Sequence, residues 1–239
     1  MAMQLIKQVP KSVLCVFAHP DDADIGAGGT IATWAQKGAA VTLIIACLGE
    51  KGTTDSLIST ERLSQLRVKE ISEASKCLGV SLVESFSIPD GEVENDLVLR
   101  GRIVERLRSL QPQVVLTHDP TATFFGSTYF NHRDHRELGF AVLDSVFPAS
   151  HLPHYFPEAG APHRVSTVLL SGTQEPNVAI DISLGLELKT KAVLSHRTQV
   201  GGRFVRLGES IDTTAKTLGR RLGVPYAETF RRIVNQVES

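Results

Sequence analysis

Where the apolar run SVLCVFA at 12–18 ends, the chain places His19, Pro20, Asp21 and Asp22 in succession, followed by the glycines of GAGGT. Two adjacent carboxylates beside an imidazole suit a metal. Catalytic zinc takes three protein ligands of the His and carboxylate type and keeps one position open for water. His19 and Asp22 can supply two of them. The third should be a His from a distant strand end, and NHRDHRE at 131–137 offers His132 and His135, three apart and so on one side of a first helical turn. One can ligate while the other stands beside the open position.

These residues need elements that bring them to one edge. SVLCVFAH has the unbroken apolar character of a strand buried on both faces, and GGTIATWAQKG after it has helical spacing through Ile31, Trp34 and Ala35. AAVTLIIACLGE repeats the strand pattern, and Thr60 to Leu78 forms a long helical pattern stopped by Gly79. SLVESFSI predicts a strand, LVLRGRIVERLRSLQ a helix ended by Pro112, and VVLTHD another strand. Such alternation makes βαβ units and hence a Rossmann-like α/β fold, a mostly parallel sheet with helices on both faces. Farther on, the pattern predicts a helix over 132–147, a proline-rich loop at 148–164, strands in VSTVLLSG and VAIDIS, a helix through LELKTKAVLSH, another over 210–222, and a last strand in YAETFRRIV. One domain spanning 1–239 is expected. In open parallel sheets ligands bind beyond the carboxyl ends of the strands, where the HPDD stretch lies.

Lys and Arg number 25 against 26 acids, a net charge of −1 that gives no electrostatic case for nucleic acid or an anionic membrane surface. The longest apolar run, Val41 to Leu48, is far short of the roughly 20 residues that cross a bilayer. MAMQLIKQVPK lacks a signal-peptide core, so a cytoplasmic protein with a small-molecule partner is expected. Cys15, Cys47 and Cys77 are odd in number and widely spaced, as fits reduced, buried thiols better than disulfides. GAGG suggests a dinucleotide-binding turn, but a third glycine would be needed at position 31, where the chain has Ile31.

In order along the chain, AHPDD…GAGGT, GEKG, PDG at 89–91, THDP, NHRDH and LSHRTQ together make it resemble the PIG-L/LmbE-like family of zinc-dependent N-acetylglucosaminyl deacetylases, over about Val13 to Gln199. HPDD and HxDH are the specific matches. The resemblance implies that His19, Asp22 and His135 hold zinc, that Asp21 is the general base, that His132 stabilises the carbonyl oxygen, and that Asp134 orients or charges a neighbouring histidine. Fe²⁺ or another divalent ion is an alternative metal. It also implies an amino-sugar substrate and a homo-oligomer, trimeric or hexameric. The chain departs from the family after HPDD, with Ala23 and Asp24 where many relatives carry Glu.

Glu50 and Asp90 follow the second and third predicted strands of the HPDD half and can accept sugar hydroxyls, although PDGE is also a good turn sequence. Arg67 on the long helix, Tyr129 among the aromatics before His132, and His196 in SHRTQ complete the candidate substrate contacts. His118 ends the fourth strand of that half, either supporting a ligand or capping. The same site suits other chemistries too: an amidase on another acylated amine or thiol conjugate, a hydratase or lyase, an iron oxygenase, or a sugar- or metal-binding module without turnover. Adjacent Asp21 and Asp22 favour hydrolysis, because one can bind metal while the other moves a proton.

Overall fold

A computed structural model describes residues 3–235 of the chain. Its elements run β1 (Gln4–Ile6), β2 (Ser12–Phe17), α1 (Asp22–Gln36), β3 (Ala40–Ile45), α2 (Thr60–Leu78), β4 (Leu82–Ser85), α3 (Leu97–Leu110) and β5 (Val114–His118). There follow β6 (Phe124–Phe125), β7 (Tyr129–Phe130), α4 (Arg133–Asp144), β8 (Thr167–Ser171), β9 (Val178–Asp181), α5 (Leu186–Ser195), α6 (Arg197–Val200), α7 (Phe204–Leu222) and β10 (Ala227–Val234).

The apolar run of β2 is explained by two buried faces. Val13, Cys15 and Phe17 enter one core, with residues of α1, α2, α5 and α7; Leu14, Val16 and Ala18 enter the other, with residues of α3 and α4. Side chains of a strand alternate between faces, so a strand with helices above and below must be apolar at every position.

The large sheet has the order β1-β9-β10-β8-β5-β2-β3-β4. Its neighbours are parallel except at β10, which lies antiparallel between β8 and β9. From β2 the chain moves outward through β3 to β4, then returns to place β5 on the other side of β2. Strand order therefore reverses between β2 and β5, where connections diverge and leave a crevice at the carboxyl ends. His19 follows β2 there and His118 ends β5.

The α/β layout expected from the pattern is present, with differences at the boundaries. β4 stops at Ser85 because Ser87 takes a φ of 54°, which no strand sustains. The helix expected over 132–147 covers Arg133–Asp144, with His132 as its extended N-cap. α7 begins at Phe204, earlier than the expected 210. β1, the β6–β7 hairpin and α6 have four residues or fewer, too short for periodicity in the sequence to register. The proline-rich loop is ordered by Arg108 of α3, whose buried guanidinium donates to the carbonyls of Ala149, Ser150, Leu152, Tyr155, Phe156 and Gly160.

Candidate active site

The HPDD stretch is the turn from β2 into α1. Its backbone folds so that the His19 N–H donates to Asp22 Oδ2 at 2.7 Å, which brings that carboxylate back beside the imidazole. α4 delivers His135 from across the switch point. His19 Nδ1 then lies 3.3 Å from Asp22 Oδ2 and 3.0 Å from His135 Nε2, and His135 Nε2 lies 3.2 Å from Asp22 Oδ2.

The outer ring nitrogens fix what these three atoms are. Asn131 donates through Nδ2 to the Ala122 carbonyl at 2.9 Å, so its Oδ1 is the atom 3.0 Å from His135 Nδ1 and accepts a hydrogen bond from the N–H there. His19 Nε2 lies 3.1 Å from Asp90 Oδ1 and donates to it. Both rings thus turn a lone pair toward Asp22. Three acceptor atoms within 3.0–3.3 Å of one another repel unless a proton or a metal cation stands among them. A tetrahedral ion with bonds of about 2.0–2.1 Å spaces its ligands about 3.3 Å apart, so the donor set fits a zinc-type ion in spacing and chemistry.

The surrounding charges favour such an ion. Burial works against the Asp22 carboxylate, but the imidazoles of His135 and His118 hold it well below the usual carboxylate range. Burial opposes charge on His19, but Asp134, Asp22 and Asp90 outweigh it and push that imidazole up, so that without an ion a proton on Nδ1 takes its place and metal binding releases that proton. His118 stacks on His135 at 4.0 Å between centroids, nearly parallel at 11°. Its Nε2 accepts the Ala18 N–H at 3.0 Å, and burial lowers its pKa to about 4, so it is neutral and fixes the plane of the His135 ring.

Asp21 caps α1 one residue before Asp22. Its carboxyl is raised, first by burial and then by the neighbouring charge of Asp22, against the pull of His196 and Gln199. A carboxyl raised in this way holds a proton more readily than a free one, which suits a group that must take and return one. His132 has its ring edge-on to His19 at 4.6 Å. Its Nδ1 accepts the Asp134 N–H at 3.1 Å, which leaves the proton of the neutral ring on Nε2, and the side chain is 43 % exposed. Burial and the His19 charge lower its pKa, keeping it neutral.

The PIG-L family model, described as GlcNAc-PI de-N-acetylase, matches residues 14–146, the stretch that carries His19, Asp21, Asp22, His118, Asn131, His132 and His135. The chain belongs to the PIG-L family. Diacetylchitobiose deacetylase of Thermococcus kodakarensis is 34% identical over 226 residues, 92% of this chain and 82% of the relative. The solved N,N'-diacetylchitobiose deacetylase from Pyrococcus horikoshii superposes with a TM-score of 0.85 at 33% identity, covering 94% of this chain and 84% of that one. A 1D-myo-inositol 2-acetamido-2-deoxy-alpha-D-glucopyranoside deacetylase of Kineococcus radiotolerans is 31% identical over 59% of this chain, which spans only 46% of that relative's length.

Within this PIG-L chain the remaining candidates divide. Tyr129 lines a cavity of about 220 Å³ together with Phe125, Asp22, His118, Asn131 and His135. Asp90, expected to face sugar, instead holds His19 through Oδ1, while its own N–H donates to Glu50 Oε1 at 2.8 Å. Glu50 and Asp90 therefore brace one loop. Arg67 is a correction: only 3 % exposed, its guanidinium donates to the carbonyls of Leu48, Gly49 and Gly52 and secures the GEKG turn. Gly49 takes a φ of 68°, in the left-handed region that favours glycine, which explains the residue there. His196 is a second correction: fully buried, it bonds Asp24 and presents no surface to a substrate.

Asp134, expected to orient or charge a neighbouring histidine, faces two of them. Fully buried, its Oδ2 accepts the Gly91 N–H at 2.7 Å and lies 3.6 Å from His19 Nε2, closer than the 3.9 Å to His132 Nδ1. It positions the Asp90 loop and His19, and reaches His132 through its backbone. Cys47, expected as an inert core thiol, is buried but lies 3.6 Å from the same Asp134 oxygen. The residue missed by sequence reasoning is Asn131. Its signal was the four-residue step to His135, one helical turn, which carries an outer partner to a candidate ligand.

The glycines of GAGGT serve packing. A Cβ on Gly29 would meet Ile182 Cδ1 at 2.6 Å, and the N–H groups of Gly29 and Thr30 donate to Glu228 at 3.0 and 2.8 Å.

Proposed function

We propose that this chain is a metal-dependent hydrolase that removes the N-acetyl group from an N-acetylglucosamine-containing small molecule. The observation that carries it is the triangle of His19 Nδ1, Asp22 Oδ2 and His135 Nε2, with edges of 3.0–3.3 Å, and Asp21 is the residue next to Asp22 in the chain. Kinship to deacetylases over most of the chain supports the same reaction.

A divalent ion held by His19, Asp22 and His135 supplies Lewis acidity toward an amide carbonyl and toward water. Asp21 takes the proton of the attacking water, a task its raised carboxyl suits, and returns it to the departing amine. His132 donates from Nε2 to the oxygen on which negative charge develops; as a neutral ring it gives a hydrogen bond without adding a second positive charge near the metal. Asn131, Asp90 and His118 hold the ligand rings in place, and Tyr129 with Phe125 lines the neighbouring cavity, where an apolar ring face can pack on a sugar. With this reading belong zinc as the resident ion, one domain over 1–239, a cytoplasmic location and a homo-oligomeric trimer or hexamer. Among the described residues no helix is long and apolar enough to cross a membrane.

The test is release of primary amine from diacetylchitobiose, N-acetylglucosaminyl inositol and N-acetylglucosaminyl malate by zinc-loaded protein, with Asp21→Asn in parallel. Turnover by the wild type on at least one of these, with Asp21→Asn binding zinc but losing about 10²–10⁴ in rate, is expected. Zinc bound with no amine released from any of the three would overturn the substrate class. An active Asp21→Asn would overturn the base.

A further inference from the structure

The far side of His19 is built like a second ligand set. His19 Nε2 lies 3.1 Å from Asp90 Oδ1 and 3.6 Å from Asp134 Oδ2, and Cys47 Sγ lies 3.6 Å from that same Asp134 oxygen. These four ligand atoms, from His19, Cys47, Asp90 and Asp134, all lie within 4.8 Å of one another. A tetrahedral zinc-type ion separates N and O ligands by about 3.3 Å and sulfur from oxygen by about 3.5 Å. The three residues that join His19 come from different parts of the chain: Cys47 follows β3, Asp90 follows β4, and Asp134 sits in the first turn of α4.

A second observation points to a cation. Asp134 is fully buried; its Oδ2, the oxygen in this cluster, accepts the Gly91 N–H, and its Oδ1 has no hydrogen-bond partner among the described residues, so the charge of the carboxylate is only partly met. An unsatisfied oxygen on a buried carboxylate is uncommon and calls for a specific cause.

We infer that His19 Nε2, Cys47, Asp90 and Asp134 form a second site for a thiophilic divalent cation of the zinc, cobalt and cadmium class. The sulfur ligand selects such ions over magnesium and calcium. Binding forms bonds from the cation to Cys47 Sγ and His19 Nε2 and releases one proton from each to the buffer, with no change of oxidation state. The two sites then share the His19 ring, so the inference rests on the His19–Asp22–His135 assignment. Occupying the second site removes the proton that His19 donates to Asp90, so excess metal holds the enzyme in a form with altered ligand geometry, and turnover falls as the second equivalent binds.

Cobalt(II) titration of the metal-free full chain tests this, read by bound cobalt per chain and by the near-ultraviolet thiolate-to-cobalt band. The expected result is two equivalents, the band arriving with the second. Cys47→Ser should take one equivalent and show no band, whereas Cys77→Ser should keep both, which assigns the sulfur. Cys47→Ala is read by the same two measures if the serine variant does not fold. Saturation of the wild type at one cobalt, two equivalents without a thiolate band, or a second equivalent retained after loss of Cys47 would each overturn the second site. A chain that takes no cobalt would overturn the first ligand triangle and this site with it.

Discussion

Asn131 Oδ1 lies 3.0 Å from His135 Nδ1, one helical turn before it. That contact, anchored by the bond from Asn131 Nδ2 to Ala122, decides which nitrogen of His135 faces Asp22. Asn131→Ala should therefore weaken metal binding about 10–100-fold while leaving all three ligands in place. Chelator competition measures it; an unchanged affinity would mean that stacking on His118 alone fixes the ring.

His132 is held as a neutral donor by the backbone of its own helix. Replacing it with Ala should lower kcat by about 10²–10³ with little effect on bound metal, because the lost hydrogen bond strengthens only as charge builds on the oxygen. His132→Gln, which keeps an N–H donor, should recover part of the loss. Metal content measured beside kcat separates this outcome from a ligand role.

Lys189 and Glu228 form a buried pair at 2.6 Å, their side chains 9 % and 7 % exposed. Lys189 also donates to the Ile25 carbonyl at 2.7 Å, while Glu228 accepts from Gly29 and Thr30, so the pair ties α1 to α5 and β10. Lys189→Met strands the carboxylate in the core and should cost about 3–5 kcal/mol. A urea midpoint close to wild type would show that the two N–H donors alone suffice.

Glu84 in β4 accepts from Arg106 of α3 at 2.7 and 2.9 Å, and that bond holds its pKa below the ordinary glutamate value. The folded pKa is lowered, so the stabilisation is present above the unfolded value of about 4.3 and is lost as pH falls through the folded pKa. The pair is about a third exposed, which limits it to under about 1 kcal/mol. The melting temperatures of wild type and Glu84→Gln should differ slightly at pH 7 and converge at acid pH; a gap that widens on acidification would contradict the assignment.

What the sequence determined by itself is the alternation of apolar strands and amphipathic helices, and the placing of HPDD and NHRDH at strand ends. Both follow from local chemistry: a strand covered on both faces is apolar throughout, and a parallel sheet sends its loops to one edge. Residue type and spacing were enough to mark His19, Asp21, Asp22 and the pair His132 and His135 as candidates, and the choice of His135 over His132 as ligand came from the family resemblance. The tertiary structure decided which polar side chains turn toward the site and which away from it. Arg67, Asp90 and His196 have the chemistry of substrate contacts, yet each lies against a partner far off in the chain: the Gly49 turn for Arg67, the ring of His19 for Asp90, and Asp24 for His196. Cys47 looked like core filling and lies against Asp134. Periodicity reports only which face of an element is buried, whereas these pairings depend on how separate elements pack, and that is set by the fold as a whole.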